Sequence, residues 1–176
     1  MFTGTSYYFR ILYFLTTMLP AYIVFVLQLK IDELVCMGLI LLICTLEYIM
    51  GVFIKKMIIN REKSAVNKSE SISIESKNGD ILTFIFGVIV PSILLPDDSS
   101  NIKLLAIQVS IQLIIFIIMQ KSSDIIPNVT LILQGISTYK TNSGEYIISN
   151  STTMENGSLE NMYRLGDSEK VKIFIV

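Results

Sequence analysis

Apolar residues along this chain come in blocks separated by short polar stretches, and the period of the pattern changes once. Four blocks stand out: ILYFLTTMLPAYIVFVLQL (Ile11 to Leu29), LVCMGLILLICTLEYIMGVFI (Leu34 to Ile54), ILTFIFGVIVPSILL (Ile81 to Leu95) and IKLLAIQVSIQLIIFIIM (Ile102 to Met119). A bilayer-spanning helix needs about 20 predominantly apolar residues. The first, second and fourth blocks meet that length, with Pro20 kinking the first near its middle. Beyond residue 120 the pattern turns strand-like. VTLILQGISTYK and EYIISN flank Asn142-Ser143-Gly144 and read as a hairpin, while VKIFIV at the end reads as a strand covered on both faces. SISIES, Ser71 to Ser76, alternates at period two and predicts a further strand in the polar loop 55–80. The expected fold class is an α-helical integral membrane protein: four transmembrane helices over 1–120, with a small β-rich cytoplasmic domain over 121–176.

Composition supports the membrane. The 176 residues are 52% hydrophobic and 16% charged, where an ordinary soluble domain carries about 25% charge. Mean hydropathy is +0.61. The first block is too long for a signal-peptide core and has no small-x-small cleavage site after it, so it reads as an uncleaved first span.

The third block poses a problem, because 15 residues reach only about 22 Å across a hydrocarbon core of about 30 Å. The basic residues give an answer. If the block crosses, the first ten residues, loop 55–80 and the C-terminal part share a side carrying 12 of the 14 Lys and Arg, leaving Lys30 and Lys103 opposite. If it dips and returns, the split is 8 to 6. The positive-inside rule selects four crossings with both termini cytoplasmic. Asn78-Gly79 marks a turn before the short span, Asp80 can cap it, and Pro96 with Asp97 and Asp98 closes it. A short span is accommodated by local bilayer thinning or by burial in an oligomer. Asp80, Gly87 and Pro91 are therefore candidate elements of a sensor of bilayer deformation, against the plainer reading of a short helix in a bundle.

Candidate chemistry is sparse. There is no histidine, and no CxxC, GxSxG, HExxH or P-loop pattern, so a hydrolase or metalloenzyme is not expected, nor any cofactor or metal. Cys36 and Cys44 lie eight residues apart on one helix, about 12 Å, and cannot bridge each other. Glu47 is the one acidic residue well inside a span. Its insertion costs about 2.5 to 3.5 kcal/mol, against roughly 4 to 7 returned by the aliphatic and aromatic residues of the same helix. It shares a face with Cys44 and Gly51. The functional reading is an ion or proton site; the plainer one is an interface carboxyl. Gln108 and Gln112 share a face of the fourth helix and read first as inter-helix hydrogen-bonding groups, second as part of a conduction path with Glu47.

Residues 121–176 carry five basic and six acidic side chains, which leaves no footprint for direct nucleic-acid binding. So short a unit needs the loop strand, the membrane face or another subunit to complete its core. An open edge would suit a partner that adds a strand. Asn128, Gly135, Tyr139, Lys140 and Tyr146 are the candidate docking residues.

Four spans, a basic loop ending in NGDILTFIFGVIVP, a fourth span and then NVTLILQGISTYKT and EYIISN resemble the KwaA family, the membrane component of the Kiwa anti-phage defence system. The resemblance implies a bacterial inner-membrane homo-oligomer, with a tetramer favoured, that senses phage attack at the lipid bilayer. It also implies a cytosolic DNA-binding partner of the KwaB family. No catalytic residue is carried over. The competing reading is a small oligomeric ion channel or transporter using Glu47, Gln108 and Gln112.

Overall fold

The computed structural model describes residues 5–60, 68–93, 100–121, 126–149, 157–164 and 173–175. The first apolar block is two helices, α1 (Tyr7–Thr17) and α2 (Leu19–Leu27), bent by 47° at Met18. Pro20 causes the break: it cannot donate to the carbonyl four residues back, and it sits in the first turn of α2, where that loss is harmless. The second block is α3 (Glu33–Asn60), 28 residues, which carries on past Lys55 and Lys56 as the polar amphipathic sequence there allows. The third is a composite: α4 (Ile81–Phe84), a π-helical turn (Ile85–Ile89) and α5 (Val90–Ile93). The fourth is α6 (Asn101–Lys121). Two helices, α3 and α6, are long and apolar enough to cross a membrane, and α1 with α2 make a third if the bent pair is one span. The described part of the third helix, over 81–93, is short of that length. The proposed close at Pro96, Asp97 and Asp98 lies outside the described residues.

Among the described residues six strands, two of them between α3 and the third helix, form a single sheet. They are β1 (Lys68–Ile72), β2 (Ile74–Lys77), β3 (Ser137–Thr141), β4 (Tyr146–Ser149), β5 (Gly157–Arg164) and β6 (Ile173–Ile175), in the order β1-β5-β6-β4-β3-β2. All pairings are antiparallel except β4 with β6. The two strands at the ends of this order, β1 and β2, are separated in sequence by Ser73 alone. In a flat sheet six strands wide those edges would lie about 24 Å apart, whereas one intervening residue spans about 7 Å. The sheet must therefore curl until its ends meet, and the run 68–77 closes a small barrel. Ser73 helps to close it: its carbonyl accepts from Asn142 N–H at 3.0 Å, and its hydroxyl accepts from the Asn142 amide at 2.9 Å.

The expected hairpin is present as β3 and β4, and Gly144 takes the left-handed conformation (φ 76°) its turn requires. The strand expected across SISIES is split by Ser73 between β1 and β2, and β2 pairs with β3, so the loop does complete the C-terminal unit. VTLIL is a short helix, α7 (Val129–Leu133), not part of a strand. Asn128 caps it, accepting from Leu131 N–H at 3.0 Å, and Gly135 (φ 79°) ends it. β5 was not anticipated, because GSLENMYR has no apolar alternation.

The barrel sits on one end of the helices. Tyr146 and Ile148 of β4 and Ile136 share a buried core with Phe9 and Tyr13 of α1, Ile54 and Ile58 of α3, Leu131 of α7, and Phe84 and Val88 of the third helix. Tyr139 and Ile147, paired across β3 and β4, are buried on the opposite face, toward the barrel interior. At the other end of the bundle, the Asn101 side chain accepts from Lys30 N–H at 3.1 Å and donates to Lys30 O at 3.3 Å. The Gln28 amide there donates to Ser92 O at 2.8 Å. All four helical legs thus run between the barrel end and the far end, the third included.

Candidate functional site

A polar knot lies where α7 meets the bundle beneath the barrel. Thr16 and Thr17 return their hydroxyls to their own helix, Thr16 to Leu12 O at 2.9 Å and Thr17 to Tyr13 O at 2.7 Å. Such back-bonding lets a hydroxyl sit in an apolar helix without an orphaned donor. Thr16 still has lone pairs, and Asn128 uses them: its amide donates to Thr16 Oγ1 at 2.8 Å and to Tyr13 O at 3.2 Å. Thr130 Oγ1 donates to Thr16 O at 2.9 Å. One turn of α7 is thereby fixed to α1 through three hydrogen bonds.

On its other side α7 lies along α3. The Gln134 amide donates to Tyr48 O at 3.0 Å, and Gly51 makes room for it, since a β-carbon at Gly51 would collide with that amide. Glu47, one turn before Gly51, faces Thr130. The Glu47 side chain is buried, with 2% exposure, and its Oε2 has no hydrogen-bond partner. It forms part of the wall of a cavity of about 250 Å³ with Leu15, Tyr22 and Met50. Glu47 is eight residues, about 12 Å, from Lys55, and Thr16 six residues, about 9 Å, from Arg10. α7 therefore dips below the level of the basic residues at the barrel end of the bundle.

The other two polar candidates on the apolar helices belong to different surroundings. Gln108, buried at 3% exposure, donates to Ser92 Oγ at 3.5 Å, and Ser92 Oγ donates to Val88 O at 2.9 Å. With the Gln28 bond to Ser92 O, this ties α2, α5 and α6 together near the far end. Gln112 lines a crevice between α1 and α6. Glu47, Gln108 and Gln112 do not converge on one site within the chain.

Asp80 caps the third helix as its sequence suggests, accepting from Leu82 N–H at 2.9 Å. Gly87 lies in the π-helical turn, and Pro91 follows it. In that turn Val90 N–H reaches Ile85 O, one residue beyond the α-helical partner. Of the docking candidates, Asn128, Tyr139 and Tyr146 are buried in the protein's own core. Lys77 Nζ stands 5.8 Å over the Tyr139 ring. Gly135 and Lys140 are half-buried, Lys140 paired with Glu75 at 3.2 Å. Asn78 (φ 56°) joins barrel to third helix, its N–H donating to Thr138 O at 2.6 Å and its Oδ1 accepting from Thr138 N–H at 2.9 Å.

Sequence reasoning missed Thr16, Thr130, Gln134 and Ser92. The Thr16-Thr17 pair inside an apolar block was the available signal. Among the described residues no group of His, Cys, Asp and Glu is arranged to hold a metal ion.

A protein-family model described as anti-phage protein KwaA matches residues 9–171. The chain belongs to the KwaA family. Its role is therefore in anti-phage defence, and the matched region takes in the bundle, the polar knot and nearly all of the barrel. No curated protein and no solved structure matches the chain.

Proposed function

We propose that this KwaA-family protein is a membrane-embedded sensor and scaffold: its helical legs read the state of the bilayer, and its barrel holds a cytosolic DNA-binding partner of the KwaB family. The observation that carries this is the continuity of the core between bundle and barrel, through Tyr146, Ile148, Phe9, Ile54 and Phe84. A barrel welded to the helices by the Asn78–Thr138 pair and by α7 moves when they move, so a disturbance that favours one helix packing shifts the barrel's population of states.

In this reading all four legs cross the inner membrane, with both termini and the barrel in the cytoplasm. The third leg runs from the Asn78–Thr138 pair to the Gln28–Ser92 contact in only thirteen helical residues, about 20 Å at about 1.5 Å each. A leg that short is the one most sensitive to bilayer thickness. Homo-oligomers, tetramers in particular, would bury part of the apolar surface that the legs expose and leave the rest to lipid.

The test is to purify the tagged full chain from its native host in mild detergent, before and after phage challenge. Co-recovery of a cytosolic DNA-binding protein, in an amount that changes on challenge, is the expected result. Recovery of the chain alone, as a stable ring that conducts ions in planar bilayers, would replace this reading with the channel.

A further inference from the structure

Between α1 and α6 the two helices stand apart, with almost no close backbone approach. They meet through rings: Phe116 lies 5.0 Å from Phe14 and 6.3 Å from Tyr7, centroid to centroid. The space left beside those rings is a crevice of about 300 Å³, with Ile11 on one wall and Val109 and Gln112 on the other. The crevice is more open than enclosed, so it is reached from outside the bundle. A cavity of about 150 Å³ already suffices to bind benzene.

We propose that this crevice holds one acyl chain of a phospholipid from the leaflet on the barrel side. The inference rests on the membrane reading above. Three features select an acyl chain. The lining is almost wholly apolar, and it runs on into the outward faces of Val109, Leu113 and Ile117, which are about half exposed and would face hydrocarbon. From Tyr7 to Leu15 the crevice follows eight residues of α1, about 12 Å. A volume of about 300 Å³ over that length has room for a single chain but not for another helix, whose diameter with side chains is about 10 Å or more. Its outer end lies at Tyr7, one turn before Arg10, whose guanidinium donates to Thr5 O at 3.0 Å, and Lys121 closes α6 five residues past Phe116, so a cationic side chain stands at the end of each of the two helices for a lipid phosphate to meet.

A chain so placed fills space that would otherwise separate α1 from α6. Because α1 also carries the three bonds to α7, loss of the chain would let α6 close on α1 and strain the knot beneath the barrel. The crevice thus gives the sensor a ligand, a lipid tail whose occupancy follows the order of the surrounding bilayer.

The experiment reconstitutes the full chain in phosphatidylethanolamine and phosphatidylglycerol vesicles containing a phospholipid with a diazirine midway along one acyl chain. After photolysis, labelled peptides are mapped. Label is expected on the α1 and α6 walls at about tenfold the level on Met37 and Leu41, exposed on α3, which meet exchanging lipid. Ile11→Trp and Val109→Trp, which fill the crevice from opposite walls, should each bring the wall label down to the Leu41 level. Label on Met37 and Leu41 with none in the crevice, or crevice label indifferent to both tryptophans, overturns the proposal while leaving the membrane reading standing. So does rapid alkylation of Ile11→Cys by a charged maleimide, which would mean that water fills the space. Absence of label from every exposed apolar face would overturn the membrane reading itself.

Discussion

A β-carbon at Gly51 would stand on the Gln134 amide, so Gly51→Ala should break the Gln134 bond to Tyr48 O. That loss, about 1 kcal/mol, is opposed by a similar gain from replacing glycine inside a helix, and the net change should be small. The two effects separate in a Gln134→Ala background, where Gly51→Ala should simply stabilise. Gly38→Ala, whose β-carbon meets open space, should stabilise in either background by about 0.5–1 kcal/mol. Gly51→Leu cannot be relieved by one side chain moving and should cost about 1–3 kcal/mol. Thermal unfolding in mild detergent reads all four. Asn128→Ala should cost more, about 2–4 kcal/mol, since it removes a helix cap and both bonds to α1. If Asn128→Ala unfolds with the wild type, α7 is not anchored there. Glu47 and Gly51 were legible as a polar and small stripe on one helix face. Their partners, Thr130 and Gln134, were not, because they arrive from more than eighty residues away.

Among the elements, the long helices announce themselves because a run of apolar residues about 20 long has few other fates. The short elements do not. VTLIL is rich in β-branched residues and reads as strand, yet the Asn128 cap and the fit against α1 and α3 make it helical, a tertiary override of propensity. The π-helical turn was equally invisible, although its cause stands in the sequence: Pro91 has no N–H to offer Gly87 O, and the helix accommodates the orphaned acceptor by widening. A π-helical turn holds one residue more than the α-helix it interrupts. Deleting Gly87 together with Pro91→Ala, which restores the missing N–H, should therefore return the segment to α-helix while keeping Phe84 on the barrel side and Ser92 at Gln28. The expected outcome is a folded protein with slower amide exchange over 81–93. If the wide turn is the compliant part of the sensor, phage protection by this variant should fall although the protein is made and inserted. Unchanged exchange would mean that the π-helical turn is not the soft point of the leg.

At the scale of the whole molecule, strand pairing fixes what hydropathy leaves open. β2 and β3 pair, so the chain leaves the barrel at Lys77 and returns to it by Ser137. Between those points it reaches the far end, where Asn101 meets Lys30, and comes back along α6. An odd number of crossings between 78 and 136 is impossible, and if α6 crosses, the short third leg must cross too. The charge count argues for the same parity from independent information, 12 basic residues to 2. Side-specific cysteine labelling decides the matter. With Cys36 and Cys44 replaced by Ser, Ile31→Cys and Ser100→Cys should react with an impermeant maleimide added to intact spheroplasts. Glu75→Cys and Asn142→Cys, on the barrel, should react only in inverted vesicles. Both pairs are exposed or half-exposed, so a failure to react would reflect sidedness rather than burial. Labelling of Ser100→Cys together with Glu75→Cys from the same side would mean that the third leg turns back, that α6 does not cross, and that the short leg cannot be the element that measures bilayer thickness.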